Sequence, residues 1–548
     1  MIQHLVRHVL RHWDVQVRTT AAQALSMLAG EFTKECAAYL PELETLVDAS
    51  NVAIRHGALL GVAAIVGQVA SPSPQMDSVL SLANAFLPPD GPQSMFIKSF
   101  GSELTMLGLS TLANALGEAG HVTAQSVDQW VALMNITLTM NAPTVHKVST
   151  GALRALFHAP IHVGSLDQSV DTYLRGMEDP SLGHDGRAAH ASALAQVPFT
   201  WFVNTKKWPN VIAALLKGTS QQMVGAEARV ASVHALQSLL FASADHFEVA
   251  FSPYRDALLS ALFSATEDYA TDARGDVGSW VRSAAMKCFT SLILFSSSLF
   301  ALTKEEMERI VAVLLKQCCE RIDRIRATGF HCLKLLFLAE QNDVSYLFEE
   351  SPLGETSAFS RGPLQRLTGF TALSDACTLY RFGFALCHCE LQTDAQSREE
   401  TYLPAEALLS FIHFRAYREP VLEGIILSIG GLSESSVKEA SHSLRTFLPS
   451  LPAMSVKGDE TSLFHVLQSL YAIWKRVEGE DRVAIAFLVS LETILLDSHI
   501  TTLLVQEGGL ACAEILRDLA EAVSMKLTTK DARKLLTQGK VYDFLFLL

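Results

Sequence analysis

A chain of 548 residues is too long for one compact core, so several domains or an array of repeats is expected. Charged residues make up only 18% and hydrophobic ones 49%, a balance that excludes an intrinsically disordered chain. The formal charge of −14, with no basic tract to release counterions from phosphate, excludes nucleic acid as a main partner.

In chain order, the first helical stripe is read on Ile2, Leu5, Val6, Val9, Leu10 and Trp13. His4, Arg7, His8, Arg11 and His12 interrupt this apolar stretch, so no signal peptide is expected. A turn at Asp14 follows, and Val17-Arg18 opens a second helix with Ala21, Ala22, Leu25, Leu28 and Ala29 on its apolar side. The same phrase returns as VAIRHGALLGVAAI with Arg55, DGRAAHASALAQV with Arg187 and EARVASVHALQSLL with Arg229. It returns again as GSWVRSAAMKCFTSL with Arg282 and DRIRATGFHCLKLLF with Arg326. A weaker copy, TVHKVSTGALRALF, carries Lys147 and lacks an acidic turn before it.

Arg18 and Arg55 lie 37 residues apart, Arg187 and Arg229 42, Arg229 and Arg282 53, and Arg282 and Arg326 44. Such spacing is near the ~40–47 residues of HEAT units. Helix pairs of this kind cannot bury their stripes alone, so the expected fold is all-α, a HEAT/armadillo-like α-solenoid of stacked helix pairs. No segment of alternating period is long enough to predict a sheet. Proline-rich breaks at 71–74 and 88–92 separate helices. The acidic, Ser-, Gly- and Pro-containing segment 349–362 is expected to be a mobile loop. The resulting division is a repeat array at 1–245, further helical repeats at 246–348, that loop, and a C-terminal helical domain at 363–548. No clear arginine signature is read beyond the loop, and the apolar end, 541–548, is expected to dock.

Nine cysteines without framework spacing suit a reduced cytosolic protein, and the uncharged apolar runs 57–70 and 288–302 are too short to span a bilayer. A soluble, intracellular chain without membrane insertion is expected.

The organising stretch is DYATDARGDVGSWVRSAAMKCFTSL, residues 268–292. Trp280, Val281, Ala284, Ala285, Cys288, Phe289 and Leu292 have the spacing of one buried helical stripe. Gly275 and Gly278 would allow positive φ, and Asp276 would accept from the amides that open the helix. Asp268, Asp272, Arg274 and Asp276 are more charge than helix capping requires, which makes them the candidate partner-binding residues. The recurring Arg18, Arg55, Arg187, Arg229, Arg282 and Arg326, with Trp280, are read as structural repeat positions, the arginines pairing with turn carboxylates rather than acting as catalytic fingers.

Other clusters favour packing. His4, His8 and His12 share a helix face at metal-ligand spacing but read as a solvated face beside the apolar stripe. Cys387-His388-Cys389-Glu390 and Cys318-Cys319 are adjacent residues that point in different directions on a helix. Gly539-Lys540 lacks the earlier glycine and the following Ser or Thr of a phosphate loop. No nucleophile elbow or zinc-protease helix occurs either, so no catalytic residue, metal or cofactor is expected.

The 268–286 block closely resembles the block that marks the tubulin-folding cofactor D family. HWDVQVRTTAAQALSMLA resembles the family as well, and so does Ile54-Arg55-His56-Gly57-Ala58. Ile322-Asp323-Arg324-Ile325-Arg326-Ala327 looks like its acidic-basic helix start, and Tyr417-Arg418 with VLEGIILSIGGLSESSVKEAS resembles its late Gly-Gly-Leu block. The matches keep the family's order over 2–451 and correspond to the carboxy-terminal part of its members. Because Met1 falls inside the family pattern, a fragment, a truncated gene model or a shortened paralogue is expected. The resemblance implies capture of β-tubulin and assembly and dissociation of the αβ-tubulin heterodimer with tubulin-folding cofactors E and C and an Arf-like small GTPase. It implies stimulation of GTP hydrolysis by tubulin as a scaffold, without an active site, in the cytoplasm at the microtubule cytoskeleton. A general HEAT-repeat adaptor in transport or signalling is the alternative, and an enzyme with an unrecognised site the third.

Overall fold

The structure, a computed structural model, describes residues 1–69, 74–220, 225–243, 246, 250–295, 302–320, 322–338, 408–430, 434–454, 461–477, 486–487, 489–491, 494, 497–506 and 509–526. These fall into two compact units, Met1–Ala265 and Thr266–Leu548. The expected loop at 349–362, the cluster at Cys387, Gly539-Lys540 and the end at 541–548 lie outside the described residues.

In the first unit four Arg-led helices and two without that arginine, the third and fourth in order, form one layer of stacked helices. They are α1 (Val15–Glu31), α2 (Val52–Val66), α3 (Ser102–Glu118), α4 (Pro143–Phe157), α5 (Gly183–Leu194) and α6 (Ala226–Ala242). Each packs on the next from α1 to α5, and α5 on α6. Helices such as Val127–Thr137, Leu166–Glu178 and Trp208–Gly218 make the second layer, each against the first-layer helix that follows it. Helix α2 is apolar on every side from Ala58 to Val66 because α1, α3 and Leu40–Glu44 surround it. Polar ties cross between repeats of the second layer: Trp130 Nε1 donates to the Leu80 carbonyl (3.2 Å) and Tyr173 Oη to Asn135 Oδ1 (2.6 Å). This is the stacked helix-pair solenoid that the repeat spacing predicts.

The first stripe needs one correction. The chain leaves the Ile2–Arg7 helix, passes through a 3₁₀ turn and presents Trp13 to solvent, 79% exposed, just before the N-cap Asp14. Val6 and Leu10 are the residues of that segment that enter the core.

In the second unit a tight hairpin, β1 (Thr271–Asp272) and β2 (Gly275–Asp276), pairs antiparallel and leads into α7 (Gly278–Phe295). Two-residue strands are too short to show an alternating period, which is why the sequence predicts none. Helices α8 (Lys304–Cys318), α9 (Asp323–Leu338), α10 (Arg415–Ile429) and α11 (Leu463–Val477) follow. Helix α9 packs on both α7 and α8, α8 packs on α10, and α10 on α11. A capping box on Thr303 and Glu306 starts α8. Among the described residues no helix is long and apolar enough to cross a membrane.

Candidate functional site

The arginines are buried, and their partners explain their place. Arg18, Arg55 and Arg326 are each the fourth residue of their helix, and each guanidinium folds back to the carbonyl six residues earlier: His12, Ala49 and Glu320. The bond holds the incoming loop against the first turn, where helical N–H groups lack partners and the chain must change direction. Arg18 also donates to His56 Nδ1 (3.1 Å), and Arg55 to Thr105 Oγ1 (3.0 Å) with its guanidinium 3.9 Å from the Phe96 ring centroid. Burial pushes the pKa of both arginines down. Pairing with turn carboxylates is therefore not the general rule. It holds for Arg326 with Asp323 and for Arg282, whereas Arg187 donates to the Gly183 carbonyl. Arg229 is buried as well.

Two members of the series escaped the sequence reading. His146, the fourth residue of α4, donates through Nε2 to the Met140 carbonyl (2.7 Å), whereas Lys147 beside it is exposed. The position is thus occupied, and α4 stacks between α3 and α5 like its neighbours. Arg418, fourth in α10, donates to the Ile412 carbonyl (2.9 Å), so the signature does continue beyond 363.

At the 268–282 turn the same device is enlarged. Six residues before Arg282 stands Asp276, and the hairpin displaces the carbonyl that Arg282 holds to Asp268 (2.6 Å). Gly275 has φ of +103°, which the reversal requires. Gly278 serves otherwise than expected: a Cβ there would lie 2.2 Å from the Asp268 carbonyl oxygen, so it permits close approach. Asp276 Oδ1 accepts from the Ser279 amide (3.0 Å), and both its oxygens face Arg282 at 3.3 Å. Arg282 Nη2 meets Glu320 Oε2 at 3.1 Å and Nε donates to Gln317 Oε1 at 3.2 Å, while the Tyr269 ring centroid lies 4.2 Å from the guanidinium. Burial opposes the Arg282 charge, but Tyr269, Glu320 and Asp276 outweigh it and raise its pKa. Burial also pushes the Tyr269 phenol up to about 12.

These contacts divide the candidate partner residues. Asp268 is wholly buried, its carboxylate accepting from the Ala270 amide, and Asp276 is held by Ser279 and Arg282. Both are engaged by bonds within the fold. Asp272 and Arg274 are exposed and form a two-pronged ion pair (2.7 and 3.1 Å), with the guanidinium 4.9 Å from the Trp280 ring centroid. Trp280 is half-buried under Arg274, so the fully buried stripe of α7 begins at Val281.

The ion pairs continue into side chains that the sequence did not flag. Lys316, near the end of α8, bonds Glu267 (2.7 Å) and Glu423 of α10 (2.8 Å), and Glu423 also meets Arg476 of α11 (2.6 Å). Burial disfavours both charges, yet Tyr269 and the two carboxylates raise the Lys316 pKa, and Lys316 and Arg476 lower that of Glu423. Their partners are up to 107 residues away, so no local pattern could mark them.

Cys318 and Cys319 are buried free thiols, and burial pushes the Cys319 thiol up, away from redox use at neutral pH. Among the described residues no group of three or more His, Cys, Asp or Glu could hold a metal ion. The sequence had grouped His4, His8 and His12; instead His12 Nδ1 accepts from the Asp14 amide (3.1 Å).

Residues 308–534 match the family described as tubulin folding cofactor D C terminal. Over 343 residues the chain is 23% identical to the tubulin-folding cofactor D of Schizosaccharomyces pombe, covering 62% of this chain and 29% of that protein. The chain therefore spans under a third of the length of that curated relative. Among solved structures, importin β crystallised from polyethylene glycol aligns with 96% of this chain and 65% of its own at 14% identity and a TM-score of 0.44. Importin β crystallised from ammonium sulfate aligns with 95% of this chain and 61% of its own at 13% identity and a TM-score of 0.42. Residues 308–534 are thus similar to the carboxy-terminal part of tubulin-folding cofactor D, the family that the ordered sequence blocks resemble.

Proposed function

We propose that the chain is a binding scaffold in tubulin folding, which engages β-tubulin and helps assemble and dissociate the αβ-tubulin heterodimer. Its companions in this reading are tubulin-folding cofactors E and C and an Arf-like small GTPase, in the cytoplasm at the microtubule cytoskeleton. It contributes to GTP hydrolysis by tubulin as a scaffold and not as an enzyme. The observation that carries the reading is the family match over 308–534 together with the blocks that run in family order before it. A stack of helix pairs suits the task, since its extended surface can follow a large folded partner. In this reading the exposed Asp272–Arg274 pair is a partner contact, and the six buried arginines set the geometry of their own repeats. Binding of purified αβ-tubulin by the isolated chain tests the proposal. Saturable association is expected, and absence of binding at micromolar concentrations, with the chain folded, overturns it.

A further inference from the structure

The second unit holds an open cleft of about 720 Å³ between α8 and α10, lined also by Arg476 and Val477 of α11. Helix α8 contributes Glu305, Glu308, Arg309, Ala312, Val313 and Lys316, a spacing that places all six on one face. At 1.5 Å per residue that face runs for about 16 Å. The facing stretch of α10 runs from Arg415 to Leu427, a similar length. A trough of these dimensions between two helices is the shape that receives a third helix of about three turns.

The floor of the trough is already neutralised. Lys316 lies between Glu267 and Glu423, and Arg476 between Glu423 and Glu419. Two groups near the mouth are different. Arg415 is exposed and makes no hydrogen bond or ion pair among the described residues. Glu419, one helical turn later, gives only Oε2 to Arg476 (3.2 Å) and leaves Oε1 open. Beside them Pro420 stands inside the helix and has no N–H, so the Ala416 carbonyl lacks its ordinary helical donor. Ala416 and Pro420 both line the cleft. The wall therefore offers a free guanidinium and, a turn away, a carboxylate oxygen next to a backbone acceptor. Ala312, Val313, Pro420 and Leu427 supply apolar surface around them.

We propose that this cleft is a docking groove for a polypeptide helix carrying an acidic and a basic side chain about one turn apart. The acid faces the Arg415 guanidinium, and the base donates to Glu419 Oε1 and the Ala416 carbonyl. The inference rests on the tubulin-folding reading above and makes the groove a contact of that partnership.

The test uses the full chain with purified αβ-tubulin as the probe, comparing the parent with Arg415→Glu and Glu419→Gln. Arg415→Glu disturbs no bond in the fold, so its melting temperature stays at the parent's. Affinity should fall about tenfold for Arg415→Glu and several-fold for Glu419→Gln, as for charge pairs truncated at an interface. A photo-crosslinking residue placed at Val313 should capture a tubulin segment with acidic and basic residues three or four positions apart. Unchanged affinity in both variants, or crosslinks only to segments lacking such a pair, overturns the groove and leaves the tubulin role standing. Failure of the parent itself to bind tubulin overturns that role, and the groove assignment with it.

Discussion

Arg282→Met isolates the energetic centre of the 268–282 turn. Methionine keeps an unbranched stem of similar reach but removes the guanidinium, which donates to the Asp268 carbonyl and Gln317 and faces Asp276 and Glu320. The side chains of Arg282, Glu320 and Asp276 are 0%, 1% and 7% exposed, so the two carboxylates stay behind in a site that water scarcely reaches. Removing one partner of a buried ion pair costs on the order of 3–5 kcal/mol, mostly from the charge left alone. Replacing both partners is milder, so Arg282→Met with Glu320→Met should be more stable than the sum of the single changes, by at least about 1 kcal/mol. Urea unfolding of the four proteins of this cycle, followed by circular dichroism, measures both quantities. A loss below about 1 kcal/mol for Arg282→Met, or strict additivity, would show that the buried charges are not interdependent and refute the reasoning.

His56 supplies a pH prediction: burial and the neighbouring Arg18 guanidinium lower its pKa from 6.5 to about 4. Below pH 6.5 the unfolded chain takes up a proton that folded His56 refuses, so stability should fall as pH drops towards 4, by on the order of 3 kcal/mol. His56→Asn, which keeps an acceptor for Arg18, should flatten that slope in stability measured from pH 7 to 4; parallel slopes would refute the assignment. Asp272→Ala with Arg274→Ala should leave thermal stability within about 1 kcal/mol of the parent, as for an exposed pair, while weakening association with αβ-tubulin. Lost stability with unchanged affinity would reduce the hairpin to a repeat junction. Trp280→Ala should cost only about 1–2 kcal/mol in urea unfolding, because the ring is half-buried and no closed cavity forms. A loss of 4 kcal/mol would place the ring in the core.

The repeat architecture was legible because it is written in a local code. The apolar stripe and the arginine near each helix start recur within one unit, and both follow from the helical period. One miss in that series has a physical cause. A reader looking for a cation finds Lys147, yet the geometry asks for an N–H donor at the fourth helical residue, and His146 provides it. Trp13 and Trp280 were drawn into the core by hydropathy, although each stands beside a turn that carries it outward. At the candidate site, Asp276 as helix cap was readable from three residues of sequence. The burial of Asp268 was not, since it depends on Gly278 and Arg282 closing over the turn. Nor were Lys316, Glu320 and Glu423, whose bonds join distant helices and leave no periodic trace.

The arginine bonds also set the order in which pieces of the chain come apart. For Arg18, Arg55, Arg326 and Arg418 the fastening closes a loop of six residues, a small entropic cost that is met within one helix start. Each such start can be secured before its neighbour arrives. Arg18 and Arg55 then add a bond to the next repeat, to His56 and Thr105, and Arg282 adds two, to Gln317 and Glu320, 35 and 38 residues away near the end of the next helix. The start of α7 and the end of α8 therefore gain or lose their bonds in one event, and Arg326 joins them by holding the Glu320 carbonyl. Under thermal or mechanical load α7, α8 and the opening of α9 should therefore give way as a single cooperative block.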